Sequence, residues 1–265
     1  MYLKYWGFHE FPFENVPSRN LFFRSSQHEE ALIRLIYAVE HRKGVGMLTG
    51  EVGSGKTTIS RALMNHLSKD KYDVRAIVNP ALDPVDLIRA ILLKFGESTD
   101  SDSKVVLLER LQQRLQQNAE QGINTILILD EAHLIKNRAS LEEIRMLLNL
   151  QIEDHFLITL IILGQPPLLR SIAELKPLNE RISIKYHLEP LDLQDTVRYI
   201  LFRLKSAGWK RGIFTKESIL PIFEYSRGIP LRINNLCDRC LLVAMMKKSR
   251  IIDTNVVNEA IDDLK

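Results

Sequence analysis

Eight residues, Gly50-Glu51-Val52-Gly53-Ser54-Gly55-Lys56-Thr57, constrain this chain more than any other stretch. They match the pattern G-x-x-x-x-G-K-[ST] and lie between an apolar run, Val45 to Thr49, and a helical pattern from Lys56 to about Leu67. Strand, glycine turn and helix is the setting in which this pattern binds phosphate. The glycines let backbone N–H groups converge, the helix start adds positive potential, and the lysine reaches the β- and γ-phosphates. A chance glycine turn needs neither flank. The nucleotide-binding residues expected are therefore Gly50, Glu51, Val52, Gly53, Ser54, Gly55, Lys56, Thr57 and Thr58, with ATP as the ligand and Thr57 holding Mg2+.

The rest of the chain repeats the alternation. Short apolar strands are predicted at Val74 to Val78, Thr125 to Leu129, Phe156 to Leu163 and Ile182 to Leu188. Helical spacings lie between them, at Val85 to Phe95, Val105 to Glu120, Leu141 to Ile152 and Pro167 to Leu175, after a first helix from Ser26. Alternating strands and helices imply a parallel sheet covered on both faces, an α/β fold. Beyond Pro190 four helices are predicted with no strand between them: Leu193 to Ser206, Lys216 to Ser226, Leu231 to Lys248 and Thr254 to Leu264. The division expected is 1–25, an aromatic strap packed on the nucleotide domain; 26–190, the phosphate-loop core; and 191–265, a small helical lid. The strap (Trp6, Phe8, Phe11, Pro12, Phe13, Pro17, Phe22, Phe23) has no period and reads as an ordered loop, with the wall of an adenine pocket as a second reading.

Composition narrows the setting. With 265 residues, 45% hydrophobic and 26% charged, a sizeable core is expected. The run Leu157 to Leu163 is far short of the roughly 20 residues that span a bilayer. Met1 to Trp6 lacks the features of a signal peptide, so a cytoplasmic chain without a membrane segment is expected. Cys237 and Cys240 sit in a helical stretch and make no disulfide framework. A formal charge of +3 does not by itself indicate nucleic acid.

A second constellation adds chemistry. The apolar run Ile126-Leu127-Ile128-Leu129 delivers Asp130 and Glu131 to the C-terminal edge of the sheet, where α/β ligands bind. Asp130 would support Mg2+, and Glu131 would orient or polarise the attacking water, which favours a hydrolase over a passive binder. Asn79 ends the second strand and is expected either to hold Glu131 or to make an Asn-Pro turn. Gln165 ends a later strand, where it could meet the γ-phosphate or the water. Arg181 precedes the last strand and could reach a neighbouring subunit's nucleotide as an arginine finger. The histidines, His28 and His133 among them, lack metal-ligand spacing, so surface or supporting roles are expected.

With these motifs in view, the sequence resembles the ATPase domain of the general secretion pathway protein A family, within the AAA+ superfamily. The resemblance rests on Tyr5 to Phe13, Leu48 to Thr57, Asp130 to His133, Gly164-Gln165-Pro166, Asn179 to Ile182 and Ile233 to Arg239. It implies an αβα sandwich followed by a helical lid, with Gln165 at the sensor-1 position and Arg181 as the finger. Relatives place an arginine directly after the lid proline; here Leu231 follows Pro230, and the sensor-2 candidate is Arg232, turned by about 100° around a helix. The function implied is a Mg2+-dependent ATPase that self-assembles in a ring or filament and serves a protein client in secretion or pilus assembly. A DNA-binding transposition helper is the alternative, with duplex DNA as partner.

Overall fold

The computed structural model describes residues 2–15, 22–152, 155–209 and 212–264. In chain order its elements are α1 (Tyr2–Trp6), α2 (Ser26–Glu40), β1 (Val45–Gly50), α3 (Lys56–His66), β2 (Tyr72–Val78), α4 (Pro84–Lys94), α5 (Lys104–Glu120) and β3 (Asn124–Asp130). A 3-10 turn (Ala132–Leu134) precedes α6 (Arg138–Leu147), β4 (Gln151–Ile152), β5 (His155–Phe156), β6 (Ile158–Gly164), α7 (Pro167–Glu174), α8 (Lys176–Asn179) and β7 (Ile182–Leu188). The last four helices are α9 (Leu193–Ser206), α10 (Lys216–Ser226), α11 (Pro230–Met246) and α12 (Thr254–Asp262). The chain forms two units: Glu29–Gly50 with Lys56–Leu188, and Met1–His28 with Glu51–Gly55 and Glu189–Lys265.

In the first unit five parallel strands run in the order β2-β3-β6-β1-β7. Inserting β6 between β3 and β1 opens a switch point at the C-terminal edge of the sheet, the place where α/β sheets take ligands. The register sets what meets there: Thr49 pairs with Gly164, Gly50 with Leu188, and Val78 with Asp130. Strands covered on both faces must be apolar throughout, and Ile126 to Leu129 and Ile158 to Leu163 are all buried. The fold is the expected α/β arrangement with a parallel sheet.

Helix α6 starts and ends earlier than its apolar spacing suggests. Asn137 Oδ1 accepts from Ala139 N–H at 2.9 Å and caps the start, and Gln151–Ile152 leave the helix to pair with His155–Phe156. Helices α9 and α10 keep their expected bounds because Asp192 and Thr215 cap them, accepting from Asp195 N–H and Ser218 N–H.

The second unit corrects the strap. Of the described aromatic residues before Glu14, Trp6, Phe8 and Phe13 belong to the core of the helical unit, and the segment begins with a helical turn, α1. Trp6 is fully buried, donates its indole N–H to Leu241 O at 3.1 Å, and meets Trp209 edge-on. Phe8 and Phe13 join the same core, with Tyr199, Leu204 and Ile233. Arg203 clamps the segment by donating to Pro12 O and Glu14 O at 2.5 and 2.6 Å. The physical reason is supply: four short helices leave an open apolar face, and burying one indole contributes on the order of 4–6 kcal/mol. Pro17 lies outside the described residues. Cys237 and Cys240 are free and buried in the same core, where burial pushes both thiols up.

Candidate nucleotide site

In the first unit the strand ends gather the chemistry. Lys56 opens α3, is 5% exposed, and donates from Nζ to Gly50 O at 2.8 Å. A buried ammonium is costly unless something offsets its charge, so it suits a position beside an anionic ligand. At the next residue of the same helix start, Thr57 Oγ1 donates to Asp130 Oδ2 at 2.8 Å, while Asp130 Oδ1 accepts Glu131 N–H at 2.9 Å. Thr58 is half-buried beside it. A hydroxyl and a carboxylate are hard oxygen donors, the set that Mg2+ takes when phosphate oxygens and water complete its shell. Among the described residues no cluster of three or more His, Cys, Asp or Glu side chains could hold a metal on protein ligands alone.

Glu131 follows in the left-handed region, φ 57° and ψ 34°, with its side chain 36% exposed. A non-glycine residue held there costs about 1–2 kcal/mol, and here the turn lifts the carboxylate off the strand line at the sheet edge. Its Oε2 lies 3.3 Å from His133 Nδ1, and the same Nδ1 accepts Gln165 N–H at 3.4 Å. His133 thus joins the end of β3 to the end of β6. Gly164 permits this approach, because a Cβ there would sit 3.2 Å from His133 N and 2.7 Å from Leu168 Cδ2.

Three sequence expectations meet different surroundings. The Asn79 carboxamide accepts Ala81 N–H at 3.4 Å, with φ 64° at Asn79 itself; no hydrogen bond joins it to Glu131 among the described residues, so the turn reading describes it. The Arg181 guanidinium is half-buried and donates to Leu148 O of its own chain at 3.0 Å. Arg232 is exposed in the first turn of α11.

Within the second unit the middle of the loop has its own contacts. Gly53 (φ 77°) accepts Leu231 N–H at 3.3 Å, and a Cβ at Gly53 would fall 2.3 Å from Leu231 Cβ. Leu231, rather than Arg232, is therefore the α11 side chain packed on the loop. His28 meets Ser54 O through Nε2 at 3.0 Å. Both contacts escaped the sequence reading, since neither partner is near in the chain. Ser54 Oγ is buried and has no hydrogen-bond partner among the described residues, which suits a hydroxyl that takes its partner from the ligand. Ser54→Ala is accordingly expected to leave the ligand-free melting temperature unchanged or slightly raised, yet to weaken ATP binding severalfold; thermal unfolding with and without ATP measures both.

Burial pushes the His28 imidazole below its ordinary value, outweighing the opposing Ser54 carbonyl and Asp195 carboxylate. The unfolded imidazole therefore takes up a proton at a higher pH than the folded one. Stability is full above pH 6.5, the ordinary value, and falls as pH drops from there toward the lowered value. Melting temperatures at pH 7.5 and 5.5 should differ, and His28→Gln should narrow the gap.

Comparison with known proteins bears out the fold. The family described as AAA domain matches residues 39–172, about half of the chain, which carry Lys56, Thr57, Asp130, Glu131 and Gln165. General secretion pathway protein A of Aeromonas hydrophila is 37% identical over 256 residues, covering 95% of this chain and 46% of its own length. The chain thus spans about half of that relative. Among solved structures, the Aeropyrum pernix ORC1 protein in complex with DNA matches with a TM-score of 0.73 at 16% identity, over 97% of this chain and 70% of that one. The Thermotoga maritima RuvB Holliday junction branch migration motor matches at 0.62 and 20% identity, over 96% and 74%. These two likenesses are of fold alone. No helix among the described residues is long and apolar enough to cross a membrane. The chain belongs to the AAA domain family and is an ATPase, related in sequence to general secretion pathway protein A.

Proposed function

We propose that the chain is a magnesium-dependent ATPase that self-assembles and couples hydrolysis to building or remodelling a secretion or pilus apparatus. The observation that carries the hydrolytic reading is the 2.8 Å contact of Thr57 with Asp130 beside a strained, half-exposed Glu131. Identity of 37% across 95% of the chain supports the secretion setting.

In this reading Lys56 and the loop N–H groups hold the phosphates, and Thr57 and Asp130 hold Mg2+. The bound ion would neutralise charge on the phosphate oxygens. Glu131 orients the attacking water and accepts its proton, while Gln165 contacts the γ-phosphate or that water. Arg181 would complete the site of a neighbouring copy. To do so it must leave Leu148 O, a cost of about 1 kcal/mol, against a gain of about 10³-fold in turnover, or about 4 kcal/mol. The exchange is favourable once a second copy is in place.

The test is ATP turnover at rising protein concentration, with and without duplex DNA, beside Lys56→Ala. Specific activity that climbs steeply with protein and ignores DNA is the expected result. Stimulation by DNA that vanishes at high salt would replace this reading with that of a DNA-bound transposition helper.

A further inference from the structure

Both ring nitrogens of His28 have hydrogen-bond partners. The residue is 5% exposed. Ser54 O can only accept, so the contact at 3.0 Å requires Nε2 to carry the hydrogen. In the neutral ring Nδ1 is then the acceptor, and Ser25 Oγ donates to it at 2.7 Å. The same Ser25 oxygen accepts the backbone N–H of His28 at 3.3 Å. Ser54 O therefore fixes the tautomer and Ser25 holds the ring in place, as a second partner does for many working histidines.

A trans peptide is planar, and its C=O and N–H point in opposite directions. Holding Ser54 O against the imidazole thus aims the N–H of Gly55 away from His28. Gly55 sits at φ 107°, where residues with a Cβ are strained, and a Cβ there would come within 2.8 Å of His28 Nε2. One side of this peptide is occupied by the histidine, which leaves the opposite side for a ligand oxygen.

We infer that His28 is a positioning residue for ATP: by gripping Ser54 O it presets the Ser54–Gly55 peptide with its N–H facing the phosphates. The inference rests on the reading of Gly50 to Thr57 as the phosphate loop. Without the grip the peptide can rotate, and ATP binding must then supply the cost of ordering it.

Steady-state kinetics with MgATP separate this role from a merely structural one. A loosened loop raises KM with little change in kcat, whereas partial unfolding lowers the apparent kcat and leaves KM alone. His28→Phe, which keeps a ring but has no donor, is expected to raise KM about fivefold to tenfold while kcat falls less than twofold. His28→Gln carries an amide donor near the Nε2 position and should stay within about threefold of the wild type. Unchanged KM in His28→Phe, or a fall in kcat alone, overturns the inference. If His28→Phe does not fold, Ser25→Ala replaces it: KM should rise about threefold with the ring still present, and an unchanged KM overturns the inference equally. Lys56→Ala run alongside tells the two failures apart, because an active Lys56→Ala removes the phosphate-loop reading itself.

Discussion

Glu131→Gln should lower ATP turnover by about 10²–10⁴-fold and leave ATP binding intact. The substitution keeps size and hydrogen-bonding reach but removes the carboxylate proposed to accept a proton from water. Its binding should survive because the proposed phosphate contacts lie elsewhere, on Lys56 and the loop. The fold should survive as well: Glu131 is half-exposed, and its neighbours on the strand are anchored by Asp130, whose oxygens meet Thr57 and the Glu131 N–H. An amide can still sit beside His133. Nucleotide-binding assays on the variant, beside phosphate release, show whether the two properties part.

Lys56→Ala should cost at least about 10²–10³ in turnover and, unlike Glu131→Gln, weaken ATP binding as well. The difference follows from what each group touches. Lys56 is a buried cation that donates to the Gly50 carbonyl of its own loop. In the ligand-free chain that bond holds the ammonium in place, and removing it costs stability of about 1 kcal/mol, too little to unfold a domain of this size. A phosphate ligand attracts the same ammonium in both ground and transition states, so its loss shows in both constants.

The placement of the candidate site's adjacent residues was legible. Gly50 to Thr57 lie between a strand and a helix, and Asp130 ends a strand, because apolar spacing and the glycine turn are contiguous there. Strand β7 and helices α9 and α10 kept their expected bounds, because apolar spacing and capping residues agree there. The destination of Trp6 was not legible: its apolar ring says that it is buried, but its partner Leu241 lies 235 residues away. For the same reason the sequence did not show Arg181 on Leu148 O or Leu231 on Gly53. Asn79 was legible as a choice between two bonds, and local geometry favoured the nearer one, to Ala81 N–H. His28 looked like any scattered histidine, since its bond to Ser54 crosses 26 residues and leaves no periodic trace.

The most direct test of the central claim is release of inorganic phosphate from ATP by the wild-type chain, measured with magnesium present and again after the magnesium is chelated. Multiple turnovers that stop on chelation and resume when magnesium is restored are expected. Turnover that continues in chelator, or that Lys56→Ala matches, would contradict it.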